Sequence, residues 1–208
     1  MRDIKSYESI IRHYESCLEK YGDSYKGMDW PIENDAEKRY TVMLDLIKND
    51  VESSVLDFGC GTALLLDFIK RQGIENIKYS GLDLIEKSIQ IANQKFPEVT
   101  FYCHDILQDQ DRIPKFDYIV LNGVFTEKRE LEYEEMLSYF KSMVHVLFSK
   151  IEKGMAFNVM SKAVDWERWD LFHLSTDVLI DFLAKEVSRN FIIRNDYGLY
   201  EYTVYIYK

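Results

Sequence analysis

The chain has 208 residues, of which 47% are hydrophobic and 30% charged, and 26 basic against 36 acidic side chains leave a net charge of −10. This is enough chain for one domain with a full core. No apolar run approaches the roughly 20 residues that span a bilayer, and the acidity works against a phosphate backbone or an anionic membrane, both of which call for clustered Lys and Arg.

Taken in order, the spacing of Tyr7, Ile10, Ile11, Tyr14, Leu18 and Tyr21 predicts a helix over 3–21. A loop rich in Gly, Asp and aromatics follows, and Asn34 with Glu37 three residues on reads as a capping box for a second helix carrying Tyr40, Met43, Leu44 and Ile47. Strands are then expected at 54–58, 77–83, 99–105, 116–121 and 155–160, with helices at 63–72, 85–96 and 130–152, the last stopping at Gly154. The helix after the third strand is short or absent. Alternating β and α units imply a mostly parallel sheet. After a helix at 176–187, FIIRN and YEYTVYIYK are separated by a link too short for a parallel crossover, so they pair antiparallel. The expected fold is therefore α/β and Rossmann-like, with seven strands, the last of them antiparallel, and helices on both faces. Residues 1–50 form an N-terminal helical cap and 51–208 the main domain.

Cys17, Cys60 and Cys103 are odd in number and contain no CxxC, which indicates neither a disulfide framework nor a zinc site. The opening MRDIKSYESI lacks a signal-peptide hydrophobic run, and a reducing cytoplasm is the expected compartment.

The stretch VLDFGCGTALLL places Gly59 and Gly61 where a buried strand turns into a helix. Glycine there admits unusual dihedrals and close backbone approach to a ligand, and the helix N-terminus offers free N–H groups. A dinucleotide site would put a third glycine at position 64, which is Leu64, so a nicotinamide-dependent oxidoreductase fits poorly. The pattern acid-x-Gly-x-Gly-x-Gly/Ala is met by Asp57, Gly59, Gly61 and Ala63. Asp83, which ends the second strand 22 residues after Gly61, has the spacing of an acid that accepts from ribose hydroxyls, with Leu84 beside it. Asp105 with Ile106 closes the third strand, and Asn122 with Gly123 follows the fourth.

With these four strand ends in order, residues 50–208 resemble the class I S-adenosylmethionine-dependent methyltransferases, of the small bacterial stand-alone type. The resemblance implies S-adenosylmethionine as methyl donor and S-adenosylhomocysteine as product. It sets Asp105 against the adenine amino group with Ile106 on the ring, and Asn122–Gly123 at the methionine end. Asp57 either touches the ligand or holds the loop through backbone hydrogen bonds. NGVF stands where methyltransferases of base or glutamine amino groups carry (Asp/Asn)-Pro-Pro-aromatic, which points away from those acceptors.

In the cap, Arg39 is a candidate partner for the donor's carboxylate and Trp30 a candidate to close over the site. The segment SKAVDWERWDLFHLS after the fifth strand carries His173, the candidate general base because its pKa lies near neutrality. Phe125, Thr126 and Glu127 are candidate acceptor contacts. In-line methyl transfer needs no metal, and none is expected. The function expected is methylation of a small-molecule acceptor at a hydroxyl, with a non-catalytic donor-binding regulatory module as the alternative. No nucleic-acid or membrane partner is expected.

Overall fold

The computed structural model describes residues 7–47 and 51–208. The first turn of the helix expected from residue 3, and the boundary expected at residue 50, lie outside the described residues.

The chain opens with α1 (Glu8–Tyr21), a 3-10 turn (Tyr25–Met28) and α2 (Glu33–Leu44). It then alternates β1 (Ser53–Phe58), α3 (Leu64–Arg71), β2 (Ile77–Asp83), α4 (Glu86–Lys95), β3 (Thr100–Cys103), β4 (Phe116–Phe125), α5 (Tyr133–Ser149) and β5 (Ile151–Ser161). It closes with β6 (His173–Leu174), α6 (Thr176–Phe182) running into a π-helical turn, β7 (Phe191–Arg194) and β8 (Glu201–Tyr207). Between β3 and β4 the only helical element is a 3-10 turn at Gln110–Arg112, as the sequence implied. The sheet order is β3-β2-β1-β4-β5-β8-β7, with β6 beside β5. β8 runs antiparallel to both its neighbours, and the remaining pairs are parallel. The expected seven strands are all present, and the two-residue β6 is an addition.

Both faces of the sheet are covered, so the two sides of each strand enter different cores. Leu56, Ile119, Leu121, Phe157 and Val204 pack on one face with α5 and α6. Their neighbours Val55, Tyr118, Val120, Ala156 and Tyr205 pack on the other with α2 and α3. This is the period of two written into buried strands. α2 thus belongs to the main body, while α1 and the turn after it lie over the carboxyl ends of the strands.

Four details differ from expectation. α2 begins at Glu33 with no side-chain cap, and Glu37 instead pairs with Arg71 at 2.6 Å. α5 ends at Ser149, and Gly154 lies inside β5, where an added Cβ would come within 3.1 Å of the Ile206 carbonyl oxygen; its glycine serves close strand packing and not a helix end. β4 continues to Phe125, so Asn122 and Gly123 sit within it, at a register shift between Leu121 and Phe125. β3 stops at Cys103, which leaves Asp105 two residues beyond it.

Phe140 of α5 is fully buried in a nest of rings, with Phe125 at 4.9 Å, Phe157 at 5.3 Å, Phe182 at 5.8 Å and Phe172 at 6.0 Å between centroids. Phe140→Ala is expected to destabilise the fold by about 3–5 kcal/mol in urea unfolding. A loss under about 1 kcal/mol would mean that the nest collapses around the missing ring and does not hold α5 to the sheet.

Candidate active site

The carboxyl ends of β1, β2 and β4 open into one cavity, which is where open α/β sheets bind ligands. β1 delivers Asp57 and then turns sharply. Gly59 has φ +76° and Gly61 φ +53°, and a Cβ on Gly59 would stand 2.6 Å from Val124 Cγ2. Ala63, at φ 64°, carries the same left-handed turn into α3. The loop is anchored to β2: the N–H groups of Gly59 and Cys60 donate to the Leu82 carbonyl at 2.8 and 3.0 Å, and Gly61 N–H donates to Asp83 Oδ2 at 2.8 Å. α3 has no side-chain cap, so the N–H groups of its first turn keep their donors at the cavity's edge.

The acids stand at different depths. Asp57 is buried and accepts the Tyr79 hydroxyl at 2.6 Å. Burial pushes its carboxyl up to about 7, against the pull of the Tyr79 bond. Asp83 also accepts from Ile85 N–H at 2.8 Å; burial raises its pKa and the backbone donors oppose that rise. Asp105 accepts Leu107 N–H at 2.9 Å, Gln108 Nε2 at 3.0 Å and the Tyr7 hydroxyl in a short bond. Burial and this carboxylate push Tyr7 up to about 12, which keeps it a donor. Asn122 lines the cavity, and its buried Oδ1 has no hydrogen-bond partner among the described residues.

Of the eleven residues the sequence nominated for the donor, Asp57, Gly59, Gly61, Asp83, Leu84, Asp105, Ile106, Asn122, Gly123 and Trp30 all line this cavity. Arg39 does not. Its Nε stands 2.8 Å from Glu201 Oε2, and its guanidinium lies 4.4 Å from the Trp30 ring, so it stands behind the wall. The sequence placed a helical cap here but nominated only Trp30 and Arg39 from it, and left out the side chains that make most of the roof. Tyr7, which precedes α1, and Ile10, Ile11 and Tyr14 of α1 face the cavity, the same aromatic and aliphatic stripe that marked the helix. Met28 also enters, its sulfur occupying the space a Cβ on Gly61 would need.

His173 is not placed to take a proton. It is buried, Nδ1–H donates to the Ser161 carbonyl at 2.6 Å, and Nε2 accepts Arg168 N–H at 3.3 Å. Both ring nitrogens are spent on backbone, which fixes one neutral tautomer and leaves no lone pair for an acceptor. The imidazole instead holds the β5–β6 loop.

Beyond Gly123 a charged cluster joins this loop to the roof. Arg129, at φ 49°, lies 2.8 Å from Glu127, 3.3 Å from Asp29 and 3.4 Å from Asp170, and touches His13. The Glu127 contact is off-line for a hydrogen bond, so it is an ion pair and not a directed bond. Burial, assisted by Asp29 and Asp170, pushes the Glu127 carboxyl up to about 7 against the opposing pull of Arg129. His13, Cys17 and Asp29 bring three ligand-type atoms within 4.8 Å of one another, but the Arg129 guanidinium already supplies a cation to His13 and Asp29.

Comparison with known proteins agrees with this geometry. The methyltransferase domain family matches residues 49–189. A Mycobacterium tuberculosis protein named as a methyltransferase is 26% identical over 160 residues, covering 74% of this chain and 93% of that protein. Magnesium protoporphyrin IX methyltransferase of Synechocystis, solved with bound S-adenosylhomocysteine, superposes with a TM-score of 0.67 at 17% identity, over 97% of this chain and 99% of that one. Human N-acetylserotonin methyltransferase, solved with S-adenosylmethionine, gives 0.68 at 12% identity, over 100% and 60%. The chain belongs to the methyltransferase domain family, with the fold of its class I, S-adenosylmethionine-dependent members.

Proposed function

We propose that the protein transfers the methyl group of S-adenosylmethionine to a hydroxyl of a small-molecule acceptor. The observation that carries the donor is the convergence of acids and glycines from successive strand ends on one cavity. The lining suits that molecule. The glycine turn and the Asp83 carboxylate both border the cavity, where the acid can accept from ribose hydroxyls, and Ile106 gives an apolar surface for a purine. The unpartnered Asn122 oxygen and the N–H groups of α3 supply polar contacts for an amino acid tail.

When bound, the sulfonium donor supplies an electrophilic methyl group. The chain's own task is to hold the acceptor in line, exclude water and receive one proton. The roof of α1 over the cavity supports a small acceptor, since a folded protein or duplex would need an open approach. The net charge of −10 adds to this for nucleic acid. Among the described residues no helix is long and apolar enough to cross a membrane, and the three cysteines are free, which supports a reducing compartment such as the cytoplasm.

With His173 committed to the loop, we assign the proton to Glu127. It follows β4 directly, and it sits close enough to Tyr14, a roof residue of the cavity, to raise that hydroxyl's pKa. Its carboxyl titrates near neutrality, where a base works best.

Two outcomes are expected. In calorimetric titration, wild type binds S-adenosylhomocysteine and Asp83→Ala loses at least about tenfold in affinity, the cost of a charge-assisted bond to ribose hydroxyls. No heat and no thermal shift in wild type would remove the methyl donor from the account; tight binding with no turnover over a panel of hydroxylated compounds would instead favour a non-catalytic sensor of the donor or its product. With an acceptor from that panel, activity rises as pH increases through about 7, because Glu127 must be ionised to accept the proton. Glu127→Gln flattens that limb and lowers turnover by about a hundredfold or more. An unchanged pH profile in Glu127→Gln would clear Glu127 of this role.

A further inference from the structure

Behind the cavity wall lies a buried polar chain that the donor site itself does not require. Glu201, the first residue of β8, is 1% exposed. Arg39 of α2 approaches its carboxylate edge-on, with Nε 2.9 Å from Oε1 and Nη2 2.8 Å from Oε2. Asn158 of β5 donates Nδ2 to Glu201 Oε1 at 2.8 Å, and its own Oδ1 accepts Gly123 N–H at 2.8 Å. Only this orientation of the amide satisfies both neighbours, since Glu201 can only accept and the Gly123 N–H can only donate.

The chain then closes on itself through Trp30. The Arg39 guanidinium lies 4.4 Å from the Trp30 ring, within the range of a cation–π contact. The far edge of the indole rests on Gly123, where a Cβ would stand 2.6 Å from Trp30 Cζ2. Gly123 has φ +85° at the register shift of β4, a conformation that glycine adopts at little cost. Gly123 is thus held from two sides: its N–H by Asn158 and its open face by the indole. Its carbonyl accepts the Thr126 hydroxyl at 2.9 Å from a third. Both Gly123 and Trp30 line the cavity, and Arg39, Asn158 and Glu201 do not.

We propose that Arg39, Glu201 and Asn158 are positioning residues for the donor's methionine end, acting through the Trp30 ring and the Gly123 backbone and not by touching the ligand. The proposal rests on the methyltransferase reading of the cavity. It also accounts for a buried charged pair set outside the cavity lining. A buried carboxylate aligned by a bidentate guanidinium and a single amide has one low-energy geometry, and each of its partners is tied to one piece of the wall. It further predicts that lysine is no substitute for Arg39. An ammonium can still neutralise Glu201, but it offers no planar face to the indole.

The test is a double-mutant cycle read by S-adenosylhomocysteine binding, with Arg39→Lys and Trp30→Phe as its corners. Arg39→Lys is chosen because it keeps Glu201 compensated and so keeps the fold; Glu201→Gln is the second variant. Each is checked by thermal melting, and Arg39→Lys and Glu201→Gln are repeated in a Trp166→Phe/Trp169→Phe background, where Trp30 is the sole tryptophan and its emission reports its surroundings. Arg39→Lys is expected to weaken binding about tenfold or more in the wild-type chain and less than about twofold in the Trp30→Phe chain, because the two residues act on one wall. Both Arg39→Lys and Glu201→Gln should shift Trp30 emission before any ligand is added. Wild-type affinity in Arg39→Lys, or the same loss with and without Trp30, would overturn the proposal; the second result would return Arg39 to direct contact with the donor. Failure of the wild type to bind would overturn the donor assignment together with this inference, whereas wild-type binding with an additive cycle overturns the inference alone.

Discussion

The bond from Gly61 N–H to Asp83 Oδ2 is the constraint on which the site depends. It ties the turn after β1 to the last residue of β2, across neighbouring strands. Two left-handed glycines and a left-handed alanine make that turn tight enough to reach the acid. With the turn pinned, α3 begins with its donors at the cavity, and Asp83 keeps an orientation toward the same space. A side chain at Gly59 would meet Val124 of β4, so this tight turn also sets how closely β1 and β4 can approach at the cavity floor.

Above this floor, the roof is built from side chains and not from backbone. Tyr7 donates its hydroxyl to Asp105, and Tyr14 points its hydroxyl at the Gly123 carbonyl at 3.4 Å. The α1 region is therefore joined to the ends of β3 and β4 by the very groups that line the cavity. Beyond Gly123 the Arg129 cluster performs the same joining with charge. His13 and Asp29 come from the roof, Glu127 and Asp170 from loops of the sheet, and one guanidinium serves all four. Burial dominates the electrostatics. Asp57 and Glu127 are both pushed toward neutrality because their charged forms lose water, and the partners that would stabilise those forms compensate only in part.

Much of this was legible in the residues themselves. Strand and helix order followed from short, nearly continuous apolar runs alternating with amphipathic segments of period 3.6, because both sheet faces are covered and each strand must be apolar on both sides. The donor side was legible because backbone chemistry dictates it: a turn with positive φ at the end of a buried strand calls for glycine, and acids at strand ends are local in sequence to the strands that carry them. Ten of the eleven residues nominated on those grounds line one cavity. Element ends were less legible. Gly154 has the look of a helix stop, but it is small because β8 passes close by, a contact that only the pairing of β5 with β8 creates.

What only the tertiary structure decided was the partner of each long polar side chain. Arg39 and Glu201 lie 162 residues apart, and no spacing in the chain announces that they meet. His173 looked like a free base because its pKa range suits one; the fold spends both its nitrogens on backbone carbonyl and amide groups of a loop. Glu127 gained its near-neutral carboxyl from burial beside Asp29 and Asp170, which reach it from elements remote in sequence. The sequence by itself determined the fold, the glycine turn and the acids at the strand ends, since these arise from local backbone geometry and hydrophobic period. The three-dimensional structure decided which charges are paired, which are buried and which face the cavity, because those properties depend on contacts between distant parts of the chain.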